Sequence, residues 1–416
     1  MYCCRHKGMS NQQAATEVIE CLQRHGFQAL LAGGCVRDML LGRPAKDYDV
    51  ATDARPDDVV RLFRRTLKVG AKFGVVIVLT QGQQVEVATF RSEAGYEDGR
   101  HPTEVRFTSA AEDASRRDFT INGMFYDPLK EQVIDYVGGQ ADLQEGVIRT
   151  IGDPDQRFGE DYLRMLRAVR FSTRLGFPVE SQTYAAIRRN AASIVRISGE
   201  RIAAELEGTL VHPNRAAGAA MLIETGLAEA IFPGFVGDRA TRGVAVLDHL
   251  RKKVDFPLAL AAFFADCPTD FKLERIAVLK LSRHQIKHTR FLLAHRGRLL
   301  ESDMSLARLK KLLAEPYFRD LYALERAIQK ATVGTKGVGP LIRLRRRIRD
   351  LGGIEVRPKP LLDGHDLMRL GAVPGPLLGQ LVEELYVAQL EGEVRTPEQG
   401  RQWARNWLQR HHPAEP

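Results

Sequence analysis

Residues 31–52, LAGGCVRDMLLGRPAKDYDVAT, constrain this chain more than any other stretch. The apolar run at residues 29–32 reads as a strand, Gly33-Gly34 as a turn, and the next residues as a helical turn carrying Arg37 and Asp38. Two glycines ahead of a helix let backbone N–H groups approach a phosphate with no Cβ in the way, and the helix N-terminus adds favourable partial charge. Gly33, Gly34 and Arg37 are therefore candidate nucleotide-binding residues. Asp47 and Asp49 follow, two apart, in a segment that runs on into Val50 and Ala51. On an extended strand residues i and i+2 point the same way, so two carboxylates converge and their repulsion calls for a cation. An all-oxygen donor set shared with phosphate oxygens suits Mg²⁺. An isolated Asp-x-Asp can equally be a solvated turn; the glycine turn upstream favours the metal.

A third carboxylate is available in Gln84-Val85-Glu86-Val87-Ala88, where alternation sends Glu86 to the face opposite the two valines. Such a residue is either a plain solvent-face side chain or a metal-associated carboxylate or general base. The mixture of short strands and helices around these acids predicts a mixed sheet with flanking helices, the carboxylates lying at its surface. A leading helix over residues 11–26, a helix through Phe63, and strand-rich sequence over residues 66–80 complete that expectation. Residues 90–107 are polar, charged and glycine-containing, which reads as a mobile surface loop. Residues 141–146 read as a turn.

The chain has 416 residues, enough for two to four domains, and 44% apolar content, ample for packed cores. Lys and Arg outnumber Asp and Glu by 61 to 52, an excess suited to a polyanion. The five cysteines, at 3, 4, 21, 35 and 267, form no CxxC pair and have no zinc-site spacing, so they read as reduced thiols. The first ten residues lack the apolar core of a signal peptide, and no run approaches the ~20 apolar residues a membrane span requires. A soluble, cytoplasmic protein is expected.

Three stretches in order, GGCVRDMLLGRPAKDYDVAT, RRDFTINGMFYD at residues 116–127 and GEDYLRMLRAVRF at residues 159–171, resemble the class II tRNA nucleotidyltransferase family. That family contains the CCA-adding enzymes and the bacterial poly(A) polymerases, within the polymerase-β-like nucleotidyltransferase superfamily. The resemblance runs over about the first 230 residues and returns at LLDGHDLMRLGAVPGPLLG, residues 361–379. It implies an α+β fold: a head with a mixed sheet and helices (residues 1–150), then an all-α neck (151–230), body (231–355) and tail (356–416). It also implies two Mg²⁺ ions on Asp47 and Asp49, with ATP and CTP as substrates and the 3′ end of tRNA as partner.

Within the second stretch, guanidinium suits phosphate while carboxylate and amide suit sugar hydroxyls. The family motif implies that Arg117 faces the triphosphate, and Asp118 and Asn122 the ribose. The third stretch predicts a helix from about residue 161 to 175, with Asp161, Arg164, Arg167 and Arg170 recurring every third residue. On an ideal helix that stripe drifts by about 60° per step, which turns Arg170 nearly away from Asp161. A charged stripe is ordinarily the wet face of an amphipathic helix. A polymerase without a nucleic-acid template, however, needs protein acceptors and donors in place of a complementary base, and carboxylate plus guanidinium supply them. In the family the EDxxR signature does this. Asp161 and Arg164 carry over as base readers, Arg167 and Arg170 as further nucleotide contacts.

The remainder predicts helices, an extension suited to cradling RNA. Residues 246–266 faintly resemble an HD-phosphohydrolase segment, but Ala265 stands where the His of the His-Asp pair is needed, so no phosphohydrolase activity is expected. Residues 341–349, LIRLRRRIR, hold five arginines; Arg343, Arg345, Arg346 and Arg347 are candidate RNA contacts, or a solvated helix face. In the resembled family, poly(A) polymerases carry a basic run where this chain has Gly70-Ala71-Lys72-Phe73-Gly74, and CC-only enzymes are shortened within residues 90–107. Addition of CCA, or of its terminal A, is favoured over polyadenylation. A non-catalytic RNA-binding module would dispense with the paired aspartates or with EDxxR, and a small-molecule nucleotidyltransferase with the long basic helical half.

Overall fold

The computed structural model describes residues 10–67, 74–96, 102–268, 274–352 and 355–411. The chain divides into two compact units, residues 1–241 with 274–281, and residues 242–273 with 282–416.

The first unit opens with α1 (Asn11–Arg24), started by a Ser10/Gln13 capping box. Its apolar positions Ala14, Ala15, Val18, Ile19 and Leu22 recur at helical spacing and are all buried on the sheet, each large aliphatic contributing about 1.5–3 kcal/mol. The strands are β1 (Ala29–Ala32), β2 (Asp49–Thr52), β3 (Thr66–Leu67), β4 (Val75–Thr80), β5 (Gln83–Thr89), β6 (Arg91–Tyr96), β7 (Pro102–Phe107), β8 (Phe125–Asp127) and β9 (Gln132–Ile134). Seven of them make one mixed sheet in the order β3-β4-β5-β2-β1-β8-β9. All neighbours are antiparallel except β2 and β5, which run parallel with Val50 opposite Val87. Between them lie α2 (Gly34–Leu40), α3 (Pro56–Leu62), α4 (Ala110–Ser115) and α5 (Gly139–Glu145).

Several local expectations are corrected. Within residues 90–107, expected to be loop, Arg91–Tyr96 and Pro102–Phe107 instead pair as a separate antiparallel ribbon, β6 with β7 and Arg91 opposite Phe107, while residues 97–101 lie outside the described residues. Composition misses this because RSEAGY and PTEVRF carry no sustained apolar alternation. Residues 139–145 form α5 rather than a turn, held between glycines in the left-handed region at Gly138 and Gly146. Gly70 to Phe73, on which the contrast with poly(A) polymerases rested, lie outside the described residues.

The first unit continues with the helices α6 (Pro154–Glu160), α7 (Leu163–Leu175), α8 (Ser181–Asn190), α9 (Gly199–Leu210), α10 (Arg215–Glu224) and α11 (Leu227–Ile231). α7 buries Met165, Leu166 and Val169 and packs against α9 and α10. The approach of α9 depends on Gly208, where a Cβ would meet Arg170 Cδ at 2.5 Å. Phe119 and Phe171 meet edge to face, 5.7 Å between centroids, which ties α7 to the sheet region.

α12 (Gly237–Asp248) carries the boundary between units. The second unit is helical throughout its described residues: α13 (Phe256–Phe263), α14 (Arg283–Ala294), α15 (Leu306–Leu313), α16 (Phe318–Thr332), α17 (Gly339–Asp350), α18 (Gly364–Arg369), α19 (Pro376–Glu391) and α20 (Pro397–His411). α13 is buried along its whole length and capped by Asp255. The last three helices share a core around Leu367, Leu381, Leu385 and Trp407, whose indole N–H donates to Glu384 at 2.7 Å.

Candidate active site

Asp49 is the first residue of β2 and pairs with Ala32, the last of β1, so it leaves the sheet edge where the glycine turn begins. The parallel register of β2 on β5 sets Glu86 beside it, on the face away from buried Val85 and Val87. Asp47 is not on the strand; it lies two residues before it. The i, i+2 argument therefore does not apply, yet Asp47, Asp49 and Glu86 line one cavity together, and Asp49 and Glu86 also line a second and larger one. Asp49 is exposed and opens onto both cavities. Desolvation, then the charges of Glu86 and Asp47, push its carboxyl up to about 6, against the opposing pull of Arg117. Three crowded carboxylates with one opposing guanidinium, offering only oxygen donors, fit a hard divalent cation.

The larger cavity, about 570 Å³, holds Gly33, Gly34, Arg37, Arg117, Asp118 and Asn122 on the sheet side, and Asp161, Arg164, Arg167 and Arg170 on the helical side. Every candidate nucleotide-binding residue thus faces one space. Gly33 has φ +76°, and a Cβ there would come within 3.0 Å of Arg117 Nη1, so glycine is required. Its own N–H, however, donates to the Met124 carbonyl at 3.2 Å and is not offered to a phosphate.

The cavity wall is a lattice of ion pairs. Arg37 donates to Asn122 Oδ1 at 2.7 Å and to Asp38. Asp113, 2% exposed, accepts from Arg116 at 2.7 Å, from Arg117 at 2.9 Å and from the N–H of Arg91 at 3.3 Å. Desolvation is the largest influence on Asp113, yet Arg117 and Arg116 outweigh it and hold its carboxyl below the usual range. Asp118 is likewise buried and held low against desolvation by Arg167 and Asn122; Arg167 Nε donates to it at 2.7 Å. Arg170 donates to Glu205 of α9 at 2.5 Å.

Asp161 does not belong to a helix. Its backbone is extended, φ −151° and ψ 103°, and it bridges α6 and α7. The helical drift that separates it from Arg170 is therefore irrelevant, and both line the cavity. Asp161 Oδ1 accepts from the Leu163 N–H at 3.0 Å, and Oδ2 accepts from Arg201 of α9 at 2.6 Å. Arg164 is anchored by the Glu160 carboxylate and by the Arg157 carbonyl at 2.9 Å.

The sequence reading passed over Asp113, Glu205, Arg201 and Arg174. Arg201 and Glu205 are four apart on α9, a spacing that puts both on one helix face and signals a polar stripe. Arg174 extends the α7 series. It makes no ion pair among the described residues, and burial together with Arg170 and Arg37 lowers its pKa. A crowded cation of this kind is poised for an anion.

A family model described as the poly A polymerase head domain matches residues 29–149, and one described as the probable RNA and SrmB-binding site of polymerase A matches residues 176–237. The CCA-adding enzyme of Lactiplantibacillus plantarum is 36% identical over 390 residues, 92% of this chain and 93% of its own length. The chain belongs to the CCA-adding enzyme family. A second family member, from Geobacillus thermodenitrificans, is 47% identical over 216 residues, 52% of this chain and 53% of the relative. The crystal structure of the Bacillus stearothermophilus CCA-adding enzyme in complex with CTP superimposes with a TM-score of 0.78 at 30% identity, covering 97% of this chain and 99% of that one. In this chain the cavity is the space bounded by the carboxylates of the sheet and the arginines of α7. No helix among the described residues is long and apolar enough to cross a membrane.

Proposed function

We propose that the chain is a tRNA nucleotidyltransferase that adds CCA to the tRNA 3′ end from CTP and ATP, releasing pyrophosphate. One observation carries this reading: the acidic pair Asp49–Glu86 and the base-reading candidates Asp161 and Arg164 open into the same cavity. A relative whose crystal form holds CTP supports it. Asp47 and Asp49 would hold Mg²⁺, two ions with the nucleotide present, which supplies Lewis-acid stabilisation of the reacting phosphate oxygens.

The remaining work falls to the chain's own side chains. Arg174 and Arg117 supply positive charge for the triphosphate, while Asp118 and Asn122, fixed by Arg167 and Arg37, offer the ribose a rigid polar edge. Arg201 and the Leu163 N–H aim Asp161, and Glu160 aims Arg164, so acceptor and donor are set before the nucleotide arrives. Arg343, Arg345 and Arg346 are exposed on α17 and supply an RNA-phosphate surface. Arg347 instead donates to the Met304 carbonyl at 2.6 Å and is partly committed to the fold.

The test is incubation with tRNA lacking its terminus and each labelled nucleotide in turn. CTP and ATP incorporation ending after CCA is expected; long ATP-only tails would replace this reading with polyadenylation. Asp49→Ala should abolish incorporation and leave tRNA binding intact.

A further inference from the structure

We propose that Asp255, His288 and Asp320, in the second unit, form a binding site for a transition-metal dication, zinc by preference, that fastens α13, α14 and α16 to one another. The three residues each offer one ligand atom, and these atoms lie within 4.8 Å of one another. His288 is 2% exposed, and neither ring nitrogen makes a hydrogen bond. Nδ1 stands 3.4 Å from Asp255 Oδ2, and Nε2 stands 3.4 Å from Asp320 Oδ2. A buried imidazole between two carboxylates would ordinarily close at least one hydrogen bond of about 2.8 Å in the ring plane. Here both approaches stop short.

The spacing has a reading in coordination geometry. One ring nitrogen can serve, so only one of the two 3.4 Å approaches is an edge of the coordination shell, the size of about 3.3–3.4 Å expected for ligand atoms about 2.0–2.1 Å from a tetrahedral ion, and the second carboxylate joins from within 4.8 Å. Imidazole with two carboxylates is a donor set for zinc rather than for magnesium or calcium.

The rest of each side chain is already committed. Asp255 Oδ1 caps α13 through the Leu258 N–H at 3.1 Å, and Asp320 Oδ1 accepts from Arg251 at 2.8 Å. Tyr317 stacks on the His288 ring, 4.1 Å between centroids and 13° between planes, and fixes its orientation. Each carboxylate keeps its second oxygen toward the imidazole. Asp255 is half-exposed, so an ion can enter from its side and take solvent as a further ligand.

The experiment uses the full chain carrying Asp47→Asn and Asp49→Asn, which removes the acidic pair of the first unit as a competing site. After chelation, equilibrium dialysis against zinc should give one ion per chain, and cobalt(II) should give the visible absorption of a four-coordinate site. Adding Asp255→Asn retains the helix cap and should weaken zinc binding at least tenfold; Asp320→Asn should abolish the cobalt spectrum. Far-UV circular dichroism verifies that each variant is folded. Undiminished zinc in both Asn variants, or no zinc retained by the parent, overturns the proposal.

Discussion

Replacing Arg201 by Met tests whether the base-reading carboxylate is aimed by its partner on α9. Asp161 has two anchors, the Leu163 N–H at 3.0 Å and the Arg201 guanidinium at 2.6 Å, and the Asp161 and Arg201 side chains are about four-fifths shielded from solvent. Arg201→Met retains the length and apolar stem but leaves one carboxylate oxygen unheld. A charge-assisted hydrogen bond is worth about 1.5–3 kcal/mol, and each 1.4 kcal/mol is a factor of ten. The ratio of kcat/KM for CTP to that for UTP should therefore fall by about 10- to 100-fold, because UTP presents a carbonyl where CTP presents an amino group. Single-nucleotide incorporation into tRNA lacking its terminus measures both values. Arg201→Lys should recover part of the ratio. A purely structural role would lower both nucleotides alike; an unchanged ratio with reduced kcat/KM for each would refute the aiming argument.

The ion-pair lattice and the charged surfaces carry the remaining outcomes. Asp49 titrates near 6 in the fold and roughly 4 when unfolded, so the metal-free protein should lose stability as pH rises through that window, and Mg²⁺ should restore it. In the same window the apparent Mg²⁺ affinity should fall as pH drops below 6, which titration of activity against Mg²⁺ at pH 5.5 and 7.5 measures. Arg167→Met strands Asp118 as a buried carboxylate; because Arg167 itself is about a third exposed, the loss should be about 2–3 kcal/mol in denaturant unfolding rather than the 3–5 of a fully buried pair. Asp118 is held below its usual pKa, so that stability is present above the carboxylate range and should vanish as pH falls through it. Changing Arg343, Arg345 and Arg346 together to Gln should reduce the slope of log K against log salt for tRNA binding by about 2, with little change in nucleotide incorporation at saturating tRNA.

What could be read from residue order was whatever local spacing encodes. The strand at residues 29–32, the glycine turn, α1 with its buried stripe and the Glu86 strand all lie where alternation or helical period placed them. Asp161 was misplaced because a helix and the extended residue before it share the same run of charges, and only backbone dihedrals separate them. The β6–β7 ribbon left no apolar signature. The partnerships were out of reach for a different reason: Arg201 meets Asp161 across 40 residues, and Arg167 meets Asp118 across 49. Residue types announce that such charges need partners, but only the packing of α7 against α9, permitted at Gly208, decides which partner each receives. Asp255, His288 and Asp320 likewise sit on three helices, with no spacing in the sequence that resembles a metal motif.

Asp113 accepts from the first residue of the β6–β7 ribbon and from the two arginines beside the cavity, and Arg116 also donates to the Arg91 carbonyl at 2.8 Å. One buried carboxylate thus wires the root of the ribbon to the cavity wall. A substitution that shifts this root is therefore transmitted at once to both arginines, and through Arg117 to the acids at the strand edge.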